Sequence, residues 1–158
     1  MASDRNSRSA AVTGAETALR SLGAGGARFH QRPLGRSTWF ADWAGRISGS
    51  DVYIGITGKG PASRKVRLLL DDWIFEDVAS GDLGGVLSGI FSAGATSRAT
   101  SRATIKRKRS LLVIPVQVLK VSVGRSHYSA ARKLPPDGEL SAWERALVSE
   151  GDSPPDRT

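Results

Sequence analysis

Cysteine is absent from these 158 residues, which removes thiol nucleophiles, disulfide staples and cysteine-bound zinc or iron–sulfur centres. Histidine occurs only as His30 and His127, too few for a histidine metal cage. Long apolar runs are lacking too. The longest, 111–119, is broken by Pro115 and Gln117 and falls far short of the ~20 residues of a membrane span. No apolar stretch of signal-peptide type follows Met1. The expectation is a soluble, cytoplasmic protein with no membrane contact and no small-molecule cofactor.

Negative charge is missing from one long stretch. Residues 83–136 hold ten Lys or Arg and no Asp or Glu, within a chain of net charge +8. Such a stretch is an electrostatic footprint for a polyanion, nucleic acid first and anionic lipid second; a solvated basic face is the plain alternative. What remains suits one packed domain: 39% of residues are apolar, and Gly 18 with Pro 7 imply many turns.

Residues 1–36, rich in Ser, Ala, Gly and Arg, read as a flexible basic arm. Within it Thr13 and Glu16 form a capping-box pattern for a short helix over 14–22, with Ala15, Ala18, Leu19 and Leu22 on one face. Trp39 to Ile47 reads as a strand entering a Ser48-Gly49-Ser50-Asp51 turn. Val52, Ile54 and Ile56 then alternate with Tyr53, Gly55 and Thr57 in a second strand. After Gly58-Lys59-Gly60-Pro61, the residues Val66, Leu69, Leu70, Trp73, Ile74 and Val78 predict an amphipathic helix over 62–78. Asp71, Asp72, Glu76 and Asp77 would form its wet side.

Leu83, Val86, Leu87, Ile90 and Phe91 predict a further helix, capped by Asp82 and closed by Gly94. A doubled Ala-Thr-Ser-Arg tandem runs into Lys106, Arg107, Lys108 and Arg109, as a basic loop or the ragged start of a strand. The 111–123 segment is β-rich, with a change of phase near Val118 that suggests a bulge; Pro115 suits a strand entry or edge. Ser141 and Glu144 make a capping box for a last helix, with Leu140, Trp143, Leu147 and Val148 as its stripe and Gly151 as its stop. The expected fold is α/β (α+β), a small, mostly antiparallel sheet flanked by helices in the order β-β-α-α-β-α. Its domain would span 37–151, with 152–158 a disordered tail.

The run Val52-Tyr53-Ile54-Gly55-Ile56-Thr57 resembles the second signature strand of the GIY-YIG endonuclease family. Arg64 after it, and Glu144 within Glu139-Leu140-Ser141-Ala142-Trp143-Glu144-Arg145-Ala146-Leu147-Val148, are similar to that family's arginine and glutamate helices. The resemblance covers about 37–150. It implies a metal-dependent endonuclease hydrolysing phosphodiester bonds in DNA. The preceding strand has no tyrosine, Phe40 and Trp43 standing nearest, and Leu68 stands where many members have a histidine.

In that scheme Tyr53 orients or deprotonates water, Arg64 offers its planar fork of donors to phosphate, and Glu144 holds Mg²⁺ or Mn²⁺. Lys59, Arg67, Arg98, Arg102, Lys106, Arg107, Lys108 and Arg109 are the candidate nucleic-acid contacts. Two other readings stay open. One is a degenerate domain of the same fold that only binds nucleic acid; the other is a basic, non-enzymatic structural protein meeting an anionic partner. Tyr53 also suits an ordinary strand position, and Glu144 an ordinary cap. Gly55-x-x-Gly58-Lys59-Gly60 resembles a phosphate cradle but lacks the Gly-Lys-Ser/Thr ending of a P-loop. Trp39, Trp43 and Trp73 read as core.

Overall fold

In the computed structural model, residues 9–60, 62–92, 101–109, 115–133 and 140–148 are described. The first element, α1 (Ala10–Ser21), is capped by Ser9, whose side chain accepts from the Ala11 N–H at 3.3 Å. It ends in a Schellman turn: Ala24 N–H reaches Leu19 O at 2.9 Å, Gly23 N–H reaches Arg20 O at 3.2 Å, and Gly23 takes φ +98°. Ala11, Val12, Ala15 and Leu19 are fully buried. The region expected to be an arm therefore supplies a core helix, followed by the buried Ala27 and Phe29. The short helix expected over 14–22 is present with its expected face of Ala15, Ala18 and Leu19 buried, but it starts at Ala10 under Ser9 rather than under Thr13, and its alanines let it lie close to its neighbour.

Five antiparallel strands follow in sequence order, β1 (His30–Pro33), β2 (Thr38–Ile47), β3 (Ser50–Lys59), β4 (Lys65–Leu70) and β5 (Trp73–Ala79). The β2–β3 hairpin turns at Ser48 (φ +52°) and Gly49 (φ +81°), the two positive dihedrals of a type I′ turn. The strand, the turn and the next strand all lie where the sequence predicts them.

The helix expected over 62–78 is instead the β4–β5 hairpin, turning at Asp71 and Asp72 between Leu70 and Trp73. Leu68 and Phe75, which a helix would have left off its apolar stripe, are fully buried, whereas Ile74 is 45% exposed. The reason is a bulge. The register shifts between Val66 and Leu68, and Asp77 takes φ +54°, so the inward parity changes between Phe75 and Val78. That skip gave the apolar residues a spacing that imitates a helix.

A 3-10 turn (Ser80–Asp82) leads into α2 (Leu83–Phe91), over the stretch expected. Gly94 lies outside the described residues. Asp82 makes no side-chain cap bond to α2; its Oδ2 accepts from the Tyr128 hydroxyl at 2.6 Å. The α1–α2 approach is close at Gly84. A Cβ on Gly84 would sit 3.3 Å from the Gly14 carbonyl oxygen. Gly84→Val is expected to cost about 1–3 kcal/mol by overpacking, read as a lower midpoint in thermal circular dichroism.

A second antiparallel sheet comprises β6 (Ser101–Arg109), β7 (Pro115–Val123) and β8 (Ser126–Lys133), in that order. The basic segment is thus a strand from residue 101, with Pro115 as the entry of β7. No bulge interrupts β7: its pairings run unbroken on both sides. The apparent change of phase arises because polar Gln117, 1% exposed, shares the inward row with Leu119 and Val121. Strand β8 was not anticipated. Its inward residues Tyr128 and Ala130 are framed by Ser, His and Lys, which weakens the alternation. After the unanticipated strand comes one helical turn, α3 (Ala142–Arg145), with the expected capping box of Ser141 and Glu144. It is shorter than expected. The chain then extends, so that Ile105 N–H donates to Leu147 O at 3.0 Å and Val148 bridges Ile105 in parallel. The expected stop at Gly151 and the tail 152–158 lie outside the described residues.

The chain is therefore α+β, ordered α-β-β-β-β-β-α-β-β-β-α, and the β-β-α-α-β-α order is not what the strands and helices follow. The inward rows of both sheets, α1, α2 and Trp143 make one hydrophobic cluster. Tyr128 ties the sheets at their junction, accepting from Ala79 N–H at 3.3 Å while donating to Asp82. Burial first, then the bond to Asp82, raises its phenol above the ordinary 10.0. A raised acid favours the protonated folded state, so its contribution is complete below pH ~10 and lost as pH rises through the raised value. Tyr128→Phe is expected to flatten the alkaline fall of the melting temperature, measured from pH 9 to 12.

Candidate nucleic-acid interface

The side chains of Tyr53 and Glu144 are bonded to different partners, Asp42 and Arg132, and Arg64 is exposed. Tyr53 points away from the core, between buried Val52 and Ile54, and donates to Asp42 Oδ2 on β2 at 3.2 Å. Burial and the Asp42 charge raise its phenol, which opposes the deprotonation a general base requires. Arg64 lies exposed in the β3–β4 connection, not on a helix. Its backbone carbonyl accepts from Ser80 N–H at 2.9 Å.

Glu144 is 4% exposed. One carboxylate oxygen pairs with Arg132; the other accepts from Ser141 Oγ at 2.7 Å and Ser141 N–H at 3.4 Å. Arg132, unremarked in the sequence, is the hub of this corner. Its Nε donates to Gln117 Oε1 at 3.1 Å, Nη1 lies 3.7 Å from Asp72, and its guanidinium covers the Trp73 ring at 4.3 Å. Beside it Asp71 accepts from Tyr53 N–H at 2.9 Å and from Trp143 Nε1 at 3.0 Å. The acidic residues read as a helix's wet side are turn and bulge residues: Asp71 fastens the β4–β5 hairpin to α3 through Trp143, and Asp72 faces Arg132 on β8. Among the described residues no three His, Asp or Glu come together. With both oxygens of Glu144 engaged, these residues do not fit a divalent ion.

Two of the glycines read as a possible phosphate cradle, Gly55 and Gly58, make room for aromatic rings, and Gly60 takes φ +67°. A Cβ at Gly55 would lie 3.2 Å from the Phe40 ring, and one at Gly58 would overlap Trp39. Trp39 is fixed there by its Nε1 bond to Gly60 O at 2.8 Å. Trp39 and Trp73 are core residues as expected, and Trp43 packs against the core half-buried.

The predicted nucleic-acid contacts scatter. Lys59 is exposed at the end of β3, and Arg67 is bonded to Glu76 through Nε at 2.8 Å. Arg98 lies outside the described residues. Lys108 and Arg109 belong to β6, although their side chains are not among those described. Arg107 has the inward parity of Ile105, at the exposed end of the strand.

Arg102 and Lys106 are joined on the outer face by residues the sequence did not single out for this role. Pairing sets Arg102 beside Ser122 and His127, Thr104 beside Lys120 and Ser129, and Lys106 beside Val118 and Ala131; Lys133 faces Val116. Arg102, Lys106, Lys120, His127 and Lys133 are all exposed, with Arg125 in the adjoining turn. Arg102, Lys106, Lys120 and Lys133 pair with no carboxylate among the described residues. Rows repeat about every 7 Å along the strands and neighbours lie about 5 Å apart, so the charges spread over a surface rather than a line. A signal for half of this face was present: Gly124-Arg125 as a two-residue turn after a β-rich run, which announces a hairpin partner. No family model, curated protein or solved structure matches this chain.

Proposed function

We propose that this chain is a nucleic-acid-binding domain that holds the phosphate backbone on the outer face of β6, β7 and β8. The observation that carries the reading is that face: Arg102, Lys106, Lys120 and Lys133 exposed together, hydroxyls of Thr104, Ser122 and Ser129 between them, and no acidic side chain in residues 83–136. Cations neutralise phosphates and release counterions, while hydroxyls add hydrogen bonds that position the backbone. Nucleic acid is favoured over an anionic membrane because the apolar residues of the face, Val116, Val118 and Ala131, are short. A membrane surface is better met by large apolar anchors beside the charge.

The reading stops at binding, because the Tyr53 hydroxyl is engaged by Asp42 and both carboxylate oxygens of Glu144 by Arg132 and Ser141. Fluorescence anisotropy with labelled single- and double-stranded DNA and RNA, across a salt series, tests it. Micromolar affinity near physiological salt and a linear fall of log K with log salt are expected. Binding to anionic vesicles with none to any oligonucleotide would overturn it. So would Mg²⁺-dependent nicking of supercoiled plasmid that Glu144→Gln, shown to be folded, abolishes.

A further inference from the structure

Strands β7 and β8 line a concavity of about 340 Å³ with Lys120, Ser122, His127 and Ser129 of the outer row and Val121 and Tyr128 of the inward row. Two adjacent cross-strand pairs shape its polar wall, Ser122 opposite His127 and Lys120 opposite Ser129. Ser122 Oγ and His127 Nδ1 share a hydrogen bond of 2.9 Å. That bond fixes the imidazole ring and leaves Nε2 as its remaining polar atom. The wall thus combines an ammonium, an imidazole and two hydroxyls, contributed in equal number by the two strands. Lys120, Ser129 and one of the bonded pair Ser122 and His127 (Nε2–H when Ser122 donates to Nδ1, the Ser122 hydroxyl when the ring donates) can each donate a hydrogen bond, and none carries negative charge. A volume at the small end of ligand pockets accommodates a phosphate with part of its nucleoside.

We infer that this pocket is a seat for a single phosphate group, distinct in kind from the diffuse attraction of the surrounding cations. The inference rests on the nucleic-acid reading above and adds a localised anchor to it. A tetrahedral oxyanion presents several oxygens in different directions, which suits donors arriving from two strands. A planar carboxylate would leave part of that set unused. The phosphate is either the terminal group of a bound chain or an internal one.

The test is an NMR titration of the whole chain with inorganic phosphate, followed by short oligonucleotides with and without a 5′-phosphate. Saturable shifts of the amides of residues 120–122 and 127–129 are expected. Lys120→Gln weakens phosphate binding about tenfold, the loss expected for a charge-assisted bond. Ser122→Ala, which releases the His127 ring, gives a smaller loss, and Arg102→Gln, on the same face but outside the pocket, leaves it unchanged. Preference for the 5′-phosphorylated strand assigns the pocket to a terminal phosphate; equal affinity assigns it to an internal one. Shifts that never saturate, or that spread equally to Arg102, Lys106 and Lys133, overturn the inference. Oligonucleotide binding that Lys120→Gln and Arg102→Gln weaken equally also overturns it, while sparing the domain's proposed function. Saturable phosphate binding without any oligonucleotide binding keeps the pocket and removes that function.

Discussion

Glu144→Ala is expected to lower folding stability by about 3–5 kcal/mol, the range for breaking one partner out of a buried ion pair. The Glu144 side chain is 6% exposed and that of Arg132 9%, so neither charge is solvated by water. Removing the carboxylate leaves the guanidinium with an exposed Asp72 at 3.7 Å, one bond to Gln117 and the face of Trp73. It also removes the acceptor for Ser141, and with it the capping box that starts α3. The double variant Glu144→Gln with Arg132→Met is expected to recover part of the loss, since both buried charges then disappear together. Urea unfolding of the two variants beside wild type measures this. A loss below 1 kcal/mol for Glu144→Ala, without change of slope, would show that the pair does not anchor the corner. A surface metal ligand would behave oppositely, its removal relieving unpaired negative charge and altering stability only when the ion is supplied.

Replacing Arg102, Lys106, Lys120 and Lys133 together by glutamine is expected to remove most of the salt dependence of binding to duplex DNA. Four phosphate contacts give a slope of about −3.6 in log K against log salt, which makes affinity fall about 150-fold between 50 and 200 mM. The variant keeps the slope due to other cations alone, and each single substitution reduces it by about 0.9. These side chains are exposed and face away from the core, so the melting temperature should hardly move. That separates a lost interface from a lost fold. If the fourfold variant binds with the wild-type slope, the interface lies elsewhere, and the Arg32, Lys59 and Lys65 side of the first sheet becomes the place to look.

The elements legible in the sequence are those where local chemistry and tertiary packing agree. Val52, Ile54 and Ile56 alternate, and Ser48-Gly49 admits the positive dihedrals of the hairpin turn. The stripe from Leu83 to Phe91 matches a helix that exists, and Ser141 with Glu144 makes the capping box it suggests. Misreading arose where a second constraint shifted the pattern. The bulge at Asp77 changed the inward parity of β5, and the low apolar content of residues 1–36 concealed that the helix expected there belongs to the core rather than to an arm. Strand β8 escaped because its outward residues serve a charged face. For the site, charge density was readable but its geometry was not. Ten cations in residues 83–136 are plain from the chain, whereas their division into an outer row and a buried hub at Arg132 depends on strand register. Glu144 was singled out for its spacing. Its buried partner lies on β8, a strand that local pattern did not disclose.

The bond from Ile105 to Leu147, and the bridge to Val148 beyond it, bear on the behaviour of many copies of this chain together. Strand β6 is the rim of its sheet, and an unpaired rim is a template onto which another chain's strand can add. The C-terminal segment occupies part of that rim at its buried midpoint, and Arg102 and Lys106 flank the covered position with like charge. A copy approaching rim to rim would have to displace the segment and bring cations against cations. The same residues proposed to hold a polyanion therefore also oppose pairing of two copies along this rim when none is bound.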